Sequence, residues 1–187
     1  MLLENRCVIG LGANLGNGIA AFESAVSLLA RSGRIQRISN LYATTAIGGP
    51  AQPDYFNAAV FLCTNLSPKA LLDEMLSIEL HHGRVRTVRW GPRPLDLDLL
   101  WIEGVSVDEP GLQVPHPRLT ERGFALLPLL DIAPDAREPS SDRAYAGMRK
   151  NVLEQGIRIL GFAQPWADDW LAESPRRRLW QIADLGL

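Results

Sequence analysis

The sequence predicts an α+β fold: a ferredoxin-like βαββαβ sandwich, with helices packed on an antiparallel sheet, followed by a C-terminal extension. Two observations predict it. Apolar β-prone runs and segments of alternating period interleave with segments of helical period in the order β-α-β-β-α-β. The 187 residues, 47% hydrophobic and 21% charged, furnish one ordinary core. No internal repeat and no Ser/Gly/Pro-rich linker divides the chain. The expected organisation is a body over residues 1–160 and an extension over 161–187, docked on the body or on a partner subunit.

Each element has a local reason. Arg6 to Ala13 (R-C-V-I-G-L-G-A) reads as a buried strand, Asn14 to Asn17 as a turn, and Ile19, Phe22, Ala25, Val26 and Leu29 as the apolar face of a helix that ends at Ser32-Gly33. Arg34 to Thr44 alternates as one second strand. A Gly/Pro-dense loop, Ile47 to Pro53, leads to a third strand over Tyr55 to Thr64. Ser67-Pro68 starts a second helix, with Ser able to cap the free amides and Pro at a position where its missing N–H is harmless. That helix runs to about His82 and stops at Gly83. After a polar loop, Leu95 to Ile102 (L-D-L-D-L-L-W-I) alternates as a fourth strand. Phe124 to Leu130 and a helical stretch near Tyr145 to Leu160 are later additions.

A net charge of -2 and an isoelectric point near 5.9 argue against nucleic-acid coating or attachment to an anionic membrane, which need a broad basic field. No stretch approaches the ~18 apolar residues of a membrane span. Met1-Leu2-Leu3 meets Glu4, Asn5 and Arg6 before any long apolar run, so the expectation is a cytoplasmic protein. Cys7 and Cys63 are too few and too separated for a disulfide framework and are read as half-buried thiols.

Three segments are candidates for chemistry. Gly10-Leu11-Gly12-Ala13-Asn14-Leu15-Gly16 has G-x-G-x-x-x-G spacing, and no acid stands between Glu23 and Asp54 to hold a ribose, so a dinucleotide fingerprint fails and a tight strand-to-helix turn suffices. Walker-type binding is excluded because neither Lys69 nor Lys150 follows a glycine. Arg84, Arg86, Arg89 and Arg93 form a local cationic loop suited to bidentate phosphate binding. The loop runs into Asp96 and Asp98, which at i and i+2 of a strand share one face with Cα atoms roughly 6.5–7 Å apart. Such a pair can bracket two hard cations and a polyphosphate. His116, held between Pro115 and Pro117 and followed by Arg118 and Arg122, is a fixed phosphate-contacting donor. His81 and His82, adjacent on a helix, point about 100° apart and are read as helix-end residues. No Ser or Cys has a nucleophile-elbow setting.

These blocks, with Tyr42-x-Thr44, Gln52-Pro53-Asp54-Tyr55-Phe56-Asn57-Ala58, Ile78-Glu79, Gly83-Arg84-Val85-Arg86, Arg89-Trp90-Gly91-Pro92-Arg93-x-Leu95-Asp96-Leu97-Asp98, Val114-Pro115-His116-Pro117-Arg118 and Arg122-x-Phe124, resemble the 6-hydroxymethyl-7,8-dihydropterin pyrophosphokinase family over about residues 7 to 135. The resemblance implies transfer of the β,γ-pyrophosphoryl group of ATP to a reduced pterin's hydroxymethyl oxygen, releasing AMP, with two Mg²⁺ ions. It implies Asp96 and Asp98 as metal ligands, and Arg84 and Arg93 as further catalytic residues. Nucleotide contacts fall to Arg84, Arg86, Trp90, Arg93, Leu99, His116 and Arg122. The pterin falls to Thr44, Thr45, Ile47, Tyr55, Asn57, Trp90, Asp96 and Phe124: Asn57 offers a donor and an acceptor, Tyr55 and Phe124 stack, and Trp90 closes over the site. A monomer is expected, with the C-terminal extension as the surface for a dimer. Ala13, Ala46 and Ala51 depart from the family's usual Ser, Pro and Asp, and none removes a metal ligand. Two further readings keep the same residues: a nucleotide-binding regulatory module without turnover, and a Mg²⁺-dependent hydrolase.

Overall fold

The computed structural model describes residues 4–45, 52–83, 92–164 and 178–182. The chain forms β1 (Asn5–Ala13), α1 (Gly18–Leu29), β2 (Arg34–Ile38), β3 (Leu41–Thr44), β4 (Tyr55–Thr64), α2 (Pro68–His81) and β5 (Asp96–Ile102). A small hairpin, β6 (Val107–Glu109) and β7 (Leu112–Val114), follows, then α3 (Gly123–Ile132), β8 (Arg158–Ala163) and β9 (Trp180–Ile182). The two main helices begin as side-chain chemistry dictates. Asn17 Oδ1 accepts from Ala20 N at 3.1 Å, and Ser67 Oγ accepts from Ala70 N at 3.2 Å with Pro68 next to it. Gly83, at φ +77°, takes the left-handed conformation that ends α2.

The main sheet has seven strands in the order β5-β1-β4-β3-β8-β9, with β2 also pairing β4. All its pairings are antiparallel. Period-two alternation sends Cys7, Ile9 and Leu11 of β1 to one face, where Phe22, Val26 and Leu29 of α1 and Leu71, Met75 and Ile78 of α2 cover them. Val8 lies on the other face with Ala59, Phe61 and Leu100, under Leu126 and Leu129 of α3. The sheet is therefore clad on both sides, and the face that also carries Gly10, Gly12, Asp96 and Asp98 is covered by α3 only in part.

Two expectations are corrected. Residues 34–44 are two strands rather than one. The break falls at Ser39-Asn40, where Ser39 Oγ accepts from Ala59 N at 2.8 Å and Asn40 N donates to Asp131 Oδ2 at 3.1 Å, so side chains take ladder positions from the backbone. The stretch 145–160 is not helical throughout: a 3₁₀ segment over Tyr145–Asn151 gives way to β8. The β3 edge offered unpaired backbone groups, and pairing with it outweighed the apolar spacing. Strand β8 runs across position 160, so residues 161–163 are part of the sheet.

Residues 178–182 return to the body. Trp180, 2% exposed, donates from Nε1 to Ser39 O at 2.8 Å and meets Phe22 edge-on with ring centroids 6.0 Å apart. Arg178 pairs with Glu23 at 3.0 Å. Trp166 and Trp170 lie outside the described residues, as do Ala46 and Ala51. Cys7 and Cys63 are free and buried, and among the described residues no helix is long and apolar enough to cross a membrane.

Candidate active site

Three neighbouring strands build the floor. Gly12 of β1 is paired with Asp96 of β5 on one side and with Asn57 of β4 on the other, and one step along Gly10 is paired with Asp98 and Ala59. The glycines keep the ground between acids and amide open: a Cβ on Gly12 would lie 3.7 Å from Asp96 Cβ and 3.9 Å from Asn57 Oδ1. Above this row is a cavity of about 400 Å³, walled by Thr44, Thr45 and Tyr55 on one flank and by Arg122 and Phe124, at the start of α3, on the other. Arg93, Asp96, Asp98 and Asn57 also line it. Asn57 Nδ2 donates to Thr44 Oγ1 at 2.9 Å, which fixes the amide with its oxygen side available to a ligand.

A second cavity, of about 560 Å³, opens on the far side of β5 between Leu72 of α2, the β6–β7 hairpin and His116. Leu99 and Asp98 line it. Asp98 is thus common to both cavities. His116 N donates to Leu100 O at 2.8 Å, which moors this residue to β5. Its Nδ1 accepts from Arg118 N at 3.1 Å, so the neutral ring carries its proton on Nε2. Burial, then Arg122 and Arg118, push its pKa down, and the imidazole is neutral at physiological pH.

The electrostatics centre on the acid pair. Arg93 Nη1 holds Asp96 Oδ2 at 2.6 Å. Asp98 is pushed up to about 6, first by burial and then by Asp96, with Arg122 and Arg93 opposing. Two carboxylates on one strand face, incompletely balanced by guanidinium groups, form a hard-oxygen donor set suited to Mg²⁺, which takes one or two carboxylates and completes its shell with water and phosphate oxygens. Among the described residues there is no cluster of three or more His, Cys, Asp or Glu able to hold a metal.

The sequence-predicted residues divide into two groups. Thr44, Thr45, Tyr55, Asn57, Arg93, Asp96, Asp98, Arg122 and Phe124 meet around the first cavity, and Leu99 and His116 meet Asp98 at the second. Ile47, Arg84, Arg86, Arg89 and Trp90 lie outside the described residues. Sequence reasoning gave no role to three positions that the structure ties to the site. Asn14, 6% exposed, accepts from Arg93 N at 2.8 Å and donates to Gln52 Oε1 at 2.9 Å, linking the glycine-rich turn to both walls. Glu79 accepts from Leu97 N, between the two acids. Gln155 lines the first cavity. Asn14 and Glu79 stood inside quoted motifs; nothing near Gln155 marked it.

The antiparallel α/β domain gathers an acid pair and guanidinium groups where two cavities meet, a donor set suited to a polyphosphate. The comparisons narrow this to a family. The family model of 7,8-dihydro-6-hydroxymethylpterin-pyrophosphokinase matches residues 8–134, and the chain belongs to that family. Among similar proteins is the 2-amino-4-hydroxy-6-hydroxymethyldihydropteridine pyrophosphokinase of Synechocystis, 41% identical over 84% of this chain and 85% of its own length. Those of Pseudomonas aeruginosa and Bacillus subtilis are 42% and 36% identical, over 72% and 83% of this chain and 84% and 95% of their own lengths. Among solved structures, a Plasmodium falciparum HPPK-DHPS crystallised with pterin and p-hydrobenzoate shares the fold with a TM-score of 0.64 at 14% identity. The match covers 88% of this chain and 49% of that one, so this chain spans about half its length.

Proposed function

We infer that the protein transfers the pyrophosphoryl group of ATP to the hydroxymethyl oxygen of 6-hydroxymethyl-7,8-dihydropterin, releasing AMP, in folate biosynthesis. Family membership over residues 8–134 supports this activity. The observation that carries the site assignment is Asp98, shared by the walls of both cavities. One cavity takes the pterin and the other the nucleotide, and the transferred group crosses between them at the acid pair.

In this reading Asn57, oriented by Thr44, reads the hydrogen-bonding edge of the pterin, and Tyr55 and Phe124 cover its faces. Thr45 and Ile47 add backbone contacts. His116, through Nε2–H, contacts nucleotide phosphates beside Leu99 in the second cavity, and Arg122 meets them from the first cavity, across Asp98. Arg93 leaves part of its pairing with Asp96 to follow the charge that develops on the phosphoryl oxygens; Arg84 shares that role, Arg86 is a further nucleotide contact, and Trp90 would close over the site. Asp96 and Asp98 would hold two Mg²⁺ ions. When bound, these neutralise the polyphosphate and orient it for in-line displacement.

The arrangement of the first 102 residues is read as ferredoxin-like. Its support is the order β1-α1-(β2/β3)-β4-α2-β5 with strands arranged β5-β1-β4-β2/β3. The division into a body over 1–160 and an extension over 161–187, a monomeric state with the extension as the surface for a dimer, and a cytoplasmic location belong to the same proposal. The two buried free thiols support a reducing compartment.

The test is to incubate the protein with ATP, Mg²⁺ and the dihydropterin and to measure AMP. Pterin-dependent AMP is the expected result. No AMP would favour a regulatory module that binds without turnover, and pterin-independent phosphate release would favour a hydrolase.

A further inference from the structure

Helix α3 begins without a cap of its own: Arg122, its N-cap residue, makes no side-chain capping bond. The amide exposed there is satisfied from a distance. Gln155 Oε1 accepts from Gly123 N at 2.9 Å, and the other end of the same side chain, Nε2, donates to Glu121 O at 2.8 Å. One amide therefore grips the backbone on both sides of Arg122 and fixes the two peptide planes that set the direction of its Cα–Cβ bond. The grip is close. A Cβ on Gly123 would run into Ile157 Cδ1 and lie 3.0 Å from Val152 Cβ, so the 152–157 segment sits on bare backbone. Val152 is fully buried beneath it.

Gln155 and Arg122 line the same cavity, and the Arg122 guanidinium carbon stands 5.6 Å over the Phe124 ring. The backbone that carries Arg122 is thus held by a segment that lies beyond residues 8–134, the part of the chain the family model matches. A cap needed for helix stability alone would require only the bond to Gly123. The second bond, to Glu121 at the end of the preceding 3₁₀ turn (Leu119–Glu121), falls outside α3 and closes the bracket around Arg122.

We propose that Gln155 is a positioning residue for nucleotide binding, aiming Arg122 at the phosphates by clamping the backbone at Glu121 and Gly123. The proposal rests on the reading of Arg122 as a phosphate contact. It is tested by a double-mutant cycle of Gln155→Met, which keeps the length and removes both bonds, with Arg122→Ala. Gln155→Glu, which keeps only the acceptor for Gly123, gives a graded third variant.

The readouts are the Kd for α,β-methylene ATP with Mg²⁺ by calorimetry, KM and kcat for each substrate, and Tm. Gln155→Met should weaken analogue binding about 10-fold and raise KM for ATP alike, with kcat and KM for the pterin changed much less; Gln155→Glu should fall between. In the Arg122→Ala background Gln155→Met should have no further effect on analogue binding. Wild-type analogue affinity in both Gln155 variants, or losses that multiply in the double variant, would overturn the proposal while leaving Arg122 in place. Wild-type affinity in Arg122→Ala alone would instead overturn the phosphate-contact reading beneath it.

Discussion

Glu79 Oε1 accepts a hydrogen bond from Leu97 N at 2.8 Å, and Leu97 is the residue between Asp96 and Asp98. Glu79 is 1% exposed, so an acid inside α2 sets the height and pitch of the strand that presents the acid pair. With Asp96 and Asp98 proposed as metal ligands, removing a group that supports them in this way is expected to lower metal affinity or activity by about 10–100-fold. Glu79→Ala should raise the Mg²⁺ concentration needed for half-maximal turnover by that order. Glu79→Gln, which still offers an oxygen to Leu97, should recover much of the loss. A Mg²⁺ titration at saturating ATP and pterin checks this, and unchanged half-saturation in Glu79→Ala would count against it.

Asp98 exchanges stability for function. Its pKa in the folded chain is about 6, above the ~3.9 of an unfolded aspartate, so without a cation the ionised form is disfavoured by folding. Between those values the folded state binds more protons than the unfolded one. The contribution of Asp98 to stability is therefore present below about pH 4 and lost as pH rises through 6. In chelator, Asp98→Asn should raise Tm at pH 8, with the advantage shrinking as pH falls below 6. Turnover of Asp98→Asn or Asp96→Ala should drop by at least ~10²-fold.

Asn14 is the latch between the glycine-rich turn, Arg93 and Gln52. Asn14→Ala leaves the Arg93 amide without this acceptor, at a penalty of about 1–3 kcal/mol, and releases two walls of the cavity at once. Urea unfolding should show that loss, and kcat should fall even at saturating substrates because Arg93 is no longer held beside Asp96.

Trp180 anchors the last described strand. Trp180→Ala should destabilise by about 3–5 kcal/mol, whereas Trp180→Phe, which keeps a ring against Phe22 but loses the bond to Ser39 and part of the buried indole volume, should lose about 1–3 kcal/mol. Thermal melts of the two variants separate ring packing from hydrogen bonding. Equal losses would mean that the bond to Ser39 dominates.

The sheet and main helices were readable because each carries its own evidence. Apolar, β-prone runs mark β1 and β4, alternation marks β5, Ser67-Pro68 marks the start of α2, and Asp96 and Asp98 announce a shared face by spacing alone. What escaped depends on partners far away in the chain. The break at Ser39 needs the Ala59 amide, strand β8 needs the open edge of β3, and Gln155 acquires meaning only where Glu121 and Gly123 arrive beside it. A glutamine among polar neighbours carries no local signal, while a conditional strand such as R-I-L-G-F-A is shaped by the edge it joins.

The pairing of β3 with β8 joins positions more than a hundred residues apart. During synthesis the N-terminal strands leave the ribosome long before their neighbour exists, so β3 spends that interval with one side unzipped and exposed to other nascent chains. A slow, late closure of that seam is the expected rate-determining event of folding, because distant strand contacts carry the largest loop-closure entropy. Chaperone dependence in the cell should track this seam rather than the catalytic face.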